Sequence, residues 1–152
     1  MLVNSLIMKI DVKFSKHFVN EVKDTIRAKR SLTSSEIFVH VDQQHDEEDD
    51  WERAEIVFDA LHVEQTALRN AVLLYVSIQD KSLFILGDTG VNETVSEDFF
   101  EPAKSTIINY FKLAQFGPGI IAGVNQLAED LAEVFPALEA DIEREPSVTI
   151  ED

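Results

Sequence analysis

Phe18, Val22 and Ile26 follow Phe14 at intervals of four, with Val19 beside them and Lys, Glu and Asp between. That spacing predicts an amphipathic helix over residues 15–29, with Ser15 as its N-cap. After a polar connector at 31–35, the β-branched and aromatic run 36–41 predicts a first strand. Trp51, Ala54, Val57, Phe58 and Leu61 fall on one helical face, opened by Asp49 or Asp50. Two apolar runs follow, at 71–78 and 83–86, joined by Gln79-Asp80-Lys81-Ser82, and together they predict a β-hairpin. Both runs are apolar at nearly every position, which places them inside a sheet covered on both faces. Gly87-Asp88-Thr89-Gly90 ends the second run and leaves a carboxylate at its mouth.

Phe99, Ala103, Ile107, Phe111 and Ala114 form a further helical stripe. Pro102 cannot sit inside a helix that starts at Ser96, so a short turn over 96–100 and a helix from about Pro102 are expected. Pro118 suits the first turn of a last helix. Its predicted face is Ile121, Val124, Leu127 or Ala128, Leu131 and Phe135, and it stops before Pro136. From Ala137 the chain is acidic and aperiodic and is expected to pack as a strap. A strand, a crossover helix and a strand make a right-handed βαβ unit with parallel strands, and the hairpin adds an antiparallel third. The predicted fold is therefore α/β, a three-layer α/β/α sandwich with a mixed central sheet. One domain is expected over 9–152, behind a loose N-terminal segment at 1–8.

Charge narrows the partners. There are 29 acidic residues against 13 basic ones, a formal net charge of −16. Such a chain repels nucleic acid and anionic lipid, so no nucleic-acid partner and no direct membrane insertion are expected. The imbalance is local. Residues 8–30 hold seven Lys/Arg against three acids, whereas 42–59 hold nine acids and one Arg, and 129–152 hold nine acids against Arg144. A protein partner reading the basic first helix or the acidic tail is one expectation. No cysteine is present, so thiolate metal sites are excluded. No run reaches the length of a membrane span, and residues 1–8 lack the basic start and full apolar stretch of a signal peptide, so a cytoplasmic location is expected.

Strand direction gathers the candidate chemistry. Glu36 opens the first strand, Arg69-Asn70 leads into the parallel second, and Asp88 ends the reversed third, so all four are expected at one rim of the sheet. Two carboxylates with an amide and a guanidinium nearby suit an oxygen-ligand site for calcium or magnesium, with Asp88 and Glu36 as ligands. Arg69 could instead grip a phosphate oxygen. The bland alternative pairs Glu36 with Arg69 and leaves Asp88 capping a turn.

Several other motifs fail on chemistry. Asp88-Thr89-Gly90 resembles a retropepsin segment, but that reaction needs a second such copy in an all-β chain. The Asp-x-Asp of haloacid-dehalogenase phosphatases is broken by Gly90. The acidic stretch 42–50 lacks the Gly and Glu of an EF-hand loop. His17, His40, His45 and His62 have no i, i+4 pairing for zinc, and Gly117-Pro118-Gly119 lacks the Lys of a P-loop.

Taken together, Ser35-Glu36-Ile37, Ala54-x-x-x-Phe58-x-x-Leu61, Thr66-x-x-Arg69-Asn70-x-Val72-Leu73, Ile85-Leu86-Gly87-Asp88-x-Gly90-Val91 and Leu131-x-x-x-Phe135-Pro136 resemble the TPM domain family. That family is named for a thylakoid lumen protein, a photosystem II repair protein and a nematode receptor modulator. The likeness runs from Phe14 to Asp152 and is nearest to stand-alone bacterial members, although Arg144-Glu145-Pro146 departs from their Asn-Glu-Leu-Pro-like tail and Ala71 replaces a usual Gly. The resemblance implies a three-layer α/β/α domain, and roles described for its members include acid phosphatase, calcium binder and accessory module of membrane complexes. The expected function is a small divalent-metal-binding domain with Asn70 orienting the ligands. A weak metal-assisted acid phosphatase using Arg69 and Asp88, and a non-catalytic interaction module, are the alternatives.

Overall fold

Alternation within the strands decides how the molecule is layered, because successive β side chains point to opposite faces. The computed structural model describes residues 15–63, 66–138 and 147–151. The expected loose segment at 1–8, Phe14 of the first helical stripe and residues 139–146 of the expected strap lie outside these. The described elements run α1 (Lys16–Lys29), β1 (Ile37–Asp42), α2 (Asp50–Ala60), β2 (Val72–Ser77), β3 (Ser82–Gly87), α3 (Thr89–Asn92), α4 (Glu101–Lys112), α5 (Phe116–Val134) and β4 (Ser147–Glu151). The four strands form one mixed sheet in the order β3-β2-β1-β4. β1 is parallel to both β2 and β4, and β2 is antiparallel to β3.

Ile37, Val39, Val41, Val72, Leu74 and Val76 point to one face and join the main core with residues of α1, α4 and α5. Leu73, Tyr75 and Leu86 point to the other, where α2 contributes Ala54 and Val57. Helices thus cover both faces, and β2 is buried at all six positions. The caps form as the sequence requires. The Ser15 hydroxyl accepts from the Phe18 N–H, and the Asp49 carboxylate accepts from the Glu52 N–H.

Three local expectations change. The acidic tail does not end as a strap: Val148 and Ile150 pack on the main core, and residues 147–151 form β4, paired with β1. Their polar–apolar alternation is a strand signal that only five residues carry. In α5 it is Ile120, not Ile121, that is fully buried with Val124, Leu127 and Leu131. Trp51 stays 46% exposed at the margin of α2, where it meets Phe84 edge-on with ring centroids 5.3 Å apart. Asp88 caps a turn, as the bland alternative has it, and that turn is the N-terminus of α3. Among the described residues no helix is long and apolar enough to cross a membrane.

Candidate functional site

Strand register places the sequence-predicted residues. The Glu36 carbonyl accepts from Val72 N–H, and Asp88 N–H donates to the Ala71 carbonyl, so Glu36, Arg69-Asn70 and Asp88 lie along one rim. Their side chains are differently engaged. Arg69 donates to Asp88 through Nε (2.6 Å) and Nη2 (3.0 Å), a bidentate pair on a carboxylate that is only 5% exposed. Asp88 Oδ1 also accepts from Thr89 N–H. The Arg69 guanidinium and then the Thr89 N–H hold the Asp88 carboxyl below the usual carboxylate range, against the opposing effect of burial. Asn70 is buried and donates through Nδ2 to Ser34 Oγ, while its carbonyl accepts from the Ser35 hydroxyl. A cation on Asp88 or a phosphate on Arg69 would therefore have to separate an existing pair.

The opposite rim, where β1, β2 and β4 end, opens into the acidic stretch 42–50 and is rich in ionisable groups. Phe38, His40 and Asp42 share the α2 face of β1, and the carboxylate of Asp42 is almost fully buried. Arg53 reaches it from α2 through Nε (2.7 Å) and Nη2 (3.2 Å), and Tyr75 Oη donates from β2 at 2.6 Å. His40 Nε2 donates at 2.9 Å, and its Nδ1 lies 2.5 Å from Thr149 Oγ1 on β4. Burial pushes the Asp42 carboxyl up, but hydrogen bonds from His40, Arg53 and Tyr75 together prevail and hold it well below the usual range. Burial and then Asp42 push the Tyr75 hydroxyl far up, which keeps it a donor. This network consumes its own charge, because Arg53 answers Asp42 and reaches towards Glu151 at 3.5 Å.

Beside it lies a second cluster with no such answer. His45, Asp50 and Asp80 each offer a ligand atom within 4.8 Å of the others. Asp50 is the first residue of α2, Asp80 lies in the β2–β3 turn, and His45 is in the acidic loop after β1. His45 Nε2 donates to Asp50 Oδ1 at 2.5 Å, and the Ser82 hydroxyl donates to Asp50 Oδ2 at 2.5 Å. Asp80 is protonated more readily than a free carboxyl, first because it shares a hydrogen bond with Asp50 and then because of burial. Asp50 moves the other way: burial raises it, but Ser82, His45 and Asp80 lower it further. Opposite shifts of this kind are what two neighbouring carboxylates produce when each disfavours the other's charge. Among the described residues no Lys or Arg is paired with either. The Ser77 hydroxyl, fully buried and close enough to Asp80 to favour its ionised form, completes no hydrogen bond of good geometry. His45 Nδ1 is likewise buried and unbonded, with Glu47 Oε1 3.7 Å away.

The signal for this rim was alternation rather than motif. The polar residues His40 and Asp42 fall on one face of an otherwise apolar strand, and a buried face carrying a His and an Asp needs partners.

A family profile described as TPM domain matches residues 13–130. The NMR structure of BA42 protein from the psychrophilic bacterium Bizionia argentinensis sp. nov. superimposes with a TM-score of 0.83 at 33% identity, covering 95% of this chain and 99% of that one. No curated protein sequence matches significantly.

Proposed function

The chain belongs to the TPM domain family, and from that premise we propose that it is a divalent-cation-binding domain whose ion sits at His45, Asp50 and Asp80. The observation that carries this is geometric: His45, Asp50 and Asp80 each bring a ligand atom within 4.8 Å of the others. Two neighbouring carboxylates with no Lys or Arg paired to them are stabilised by either a proton or a cation, and near neutral pH a divalent cation is the stronger choice. Asp50 and Asp80 supply hard oxygens that suit Ca²⁺ or Mg²⁺, with the hydroxyls of Ser77 and Ser82 beside them. The imidazole extends the preference to Mn²⁺. Ligation through Nε2 requires the His45 proton to move to Nδ1, where Glu47 is the nearest acceptor and would fix the ring as metal-bound imidazoles are commonly fixed.

Calorimetric titration with Ca²⁺, Mg²⁺ and Mn²⁺ in excess NaCl should give saturable heat and a rise in melting temperature. Asp80→Asn should weaken binding by about tenfold or more, on the order of one ligand's contribution. Affinity should rise with pH as Asp80, whose carboxyl is shifted upward, loses its proton. Equal shifts in wild type and Asp80→Asn would reduce the effect to screening of a −16 chain and sink the proposal.

The other rim supports a separate reading, in which Asp88 and Glu36 ligate the cation, Asn70 orients them and Arg69 takes a phosphate in a metal-assisted phosphatase. The family resemblance supports it, and the closed Arg69–Asp88 pair weighs against it. Unchanged hydrolysis of p-nitrophenyl phosphate by Asp88→Asn would dispose of that reading.

A further inference from the structure

We propose that the outer edge of β3, together with the acidic flank of α2, docks an extended basic segment of a partner protein, which adds to the sheet as a fifth strand. β3 is an edge strand: β2 lies on one side, and among the described residues nothing pairs with the other. Pairing alternates along an antiparallel ladder, and Asp88 N–H bonds to Ala71, so residues 82, 84 and 86 face β2. The N–H and C=O groups of Leu83 and Ile85 therefore point outward, as does the Gly87 carbonyl. Asn92 Nδ2 donates to that last carbonyl at 2.9 Å and closes the edge at its end. Leu83 and Ile85 remain as a short open template of the kind that receives added strands.

A groove of about 580 Å³ runs between this edge and α2. Its floor is apolar, with Leu86 and Ile85, and Trp51 and Ile56 rise beside it at 46% and 44% exposure. Its wall carries charge of one sign. Glu52, Glu55 and Asp59 follow at helical spacing on the exposed side of α2, and no Lys or Arg lines the groove. Extended backbone, alternate apolar side chains and positive charge are what such a groove recognises: outward carbonyls and amides for the chain, apolar pockets for every second residue, acids for Lys or Arg between them. This inference does not depend on the cation site.

The chain has a single tryptophan, and it stands in this groove, so binding reports itself. The protein, in EDTA, is titrated with an eight-residue Lys-Val repeat peptide while Trp51 emission and backbone amide NMR signals are followed. The expected result is a saturable emission change, with shifts and slowed exchange centred on Leu83 and Ile85. The Glu-Val repeat should not bind. The double variant Glu52→Lys/Glu55→Lys, both sites being exposed, should melt like wild type and lose about tenfold or more in affinity. A Lys-Val peptide N-methylated at alternate residues keeps its charge but cannot complete the ladder, and it should bind much more weakly. No saturable change, or equal binding of the methylated peptide, overturns the proposal. Concentration-dependent shifts at Leu83 and Ile85 without peptide overturn it too, in favour of a second copy on the same edge.

Discussion

At the scale of single residues, Asp42 carries a concentrated electrostatic load. Its buried carboxylate answers Arg53, Tyr75 and His40 at once. Asp42→Ala would remove the acceptor that Arg53, Tyr75 and His40 share and leave a guanidinium, with only 18% of its side chain exposed, to longer contacts with Glu47 and Glu151. Leaving such a charge without its partner costs about 3 kcal/mol or more, so the urea midpoint should fall far more than for a surface Asp→Ala such as Asp24. The pH dependence follows from the direction of the shift. Asp42 and Asp88 both have carboxyls held below the ordinary range, so each binds its proton less readily when folded. Their stabilisation is present above the usual carboxylate range and is lost as pH falls below it. Asp80, shifted upward, opposes this weakly by losing stability as pH rises through its own titration, and Asp80→Asn should flatten that part of the curve. Sequence reading found Asp88 because a Gly-rich corner drew attention to it. Asp42 reads in sequence as the first acid of the stretch 42–50, and its role as a hub shows only once β1 is in register, with His40 beside Tyr75 and Thr149 and Asp42 beside Ser77 and Glu151.

At the scale of elements, the junction before β2 and the corner after β3 are locked together by backbone. Arg69 sits in the left-handed region at φ 52°, and its carbonyl accepts from Gly90 N–H at 2.7 Å. A Cβ on Gly90 would come within 2.2 Å of the Leu68 carbonyl oxygen and 2.6 Å of that of Arg69. The backbone of residues 68–69 cannot readily yield, whereas at Gly123 the nearest obstacle is the flexible end of Ile107 at 2.4 Å. Gly90→Ala should therefore cost about 2 kcal/mol or more. Gly123→Ala should cost less, because alanine recovers roughly 1 kcal/mol of helix propensity in α5. Thermal melts of the two variants check the order, and Gly123→Ala as the worse of the pair would refute the account. The elements themselves were legible because the 3.6-residue and two-residue periods of the apolar positions do not resemble each other. The βαβ unit and hairpin follow from those periods, and so does the rim shared by Glu36, Asn70 and Asp88. What periodicity cannot give is the side-chain pairing on that rim, where Arg69 takes Asp88.

At the scale of the whole molecule, the chain returns from its last helix to complete the sheet. β4 pairs in parallel with β1, which would otherwise be an edge, and it brings Thr149 and Glu151 to the His40–Asp42 network. A strand of alternating Ser, Val, Thr, Ile and Glu inside an acidic tail is hard to read from sequence, since five residues carry little period and the surrounding charges argue for solvent. Its energetic role can be bounded. Val148 and Ile150 are each partly buried against the main core, and half of the usual burial free energy for two such side chains is about 2 kcal/mol. Removing residues 147–152 should lower stability by about that amount. It should also expose the outer edge of β1, speeding amide exchange there while β2, covered on both sides and both faces, stays protected. Exchange in β1 unchanged by the truncation would mean that β4 contributes nothing to closing the sheet. If instead β1 opens while Asp50 and Asp80 still bind a cation, the two clusters of this rim are separate devices, one holding the sheet and the other the ion.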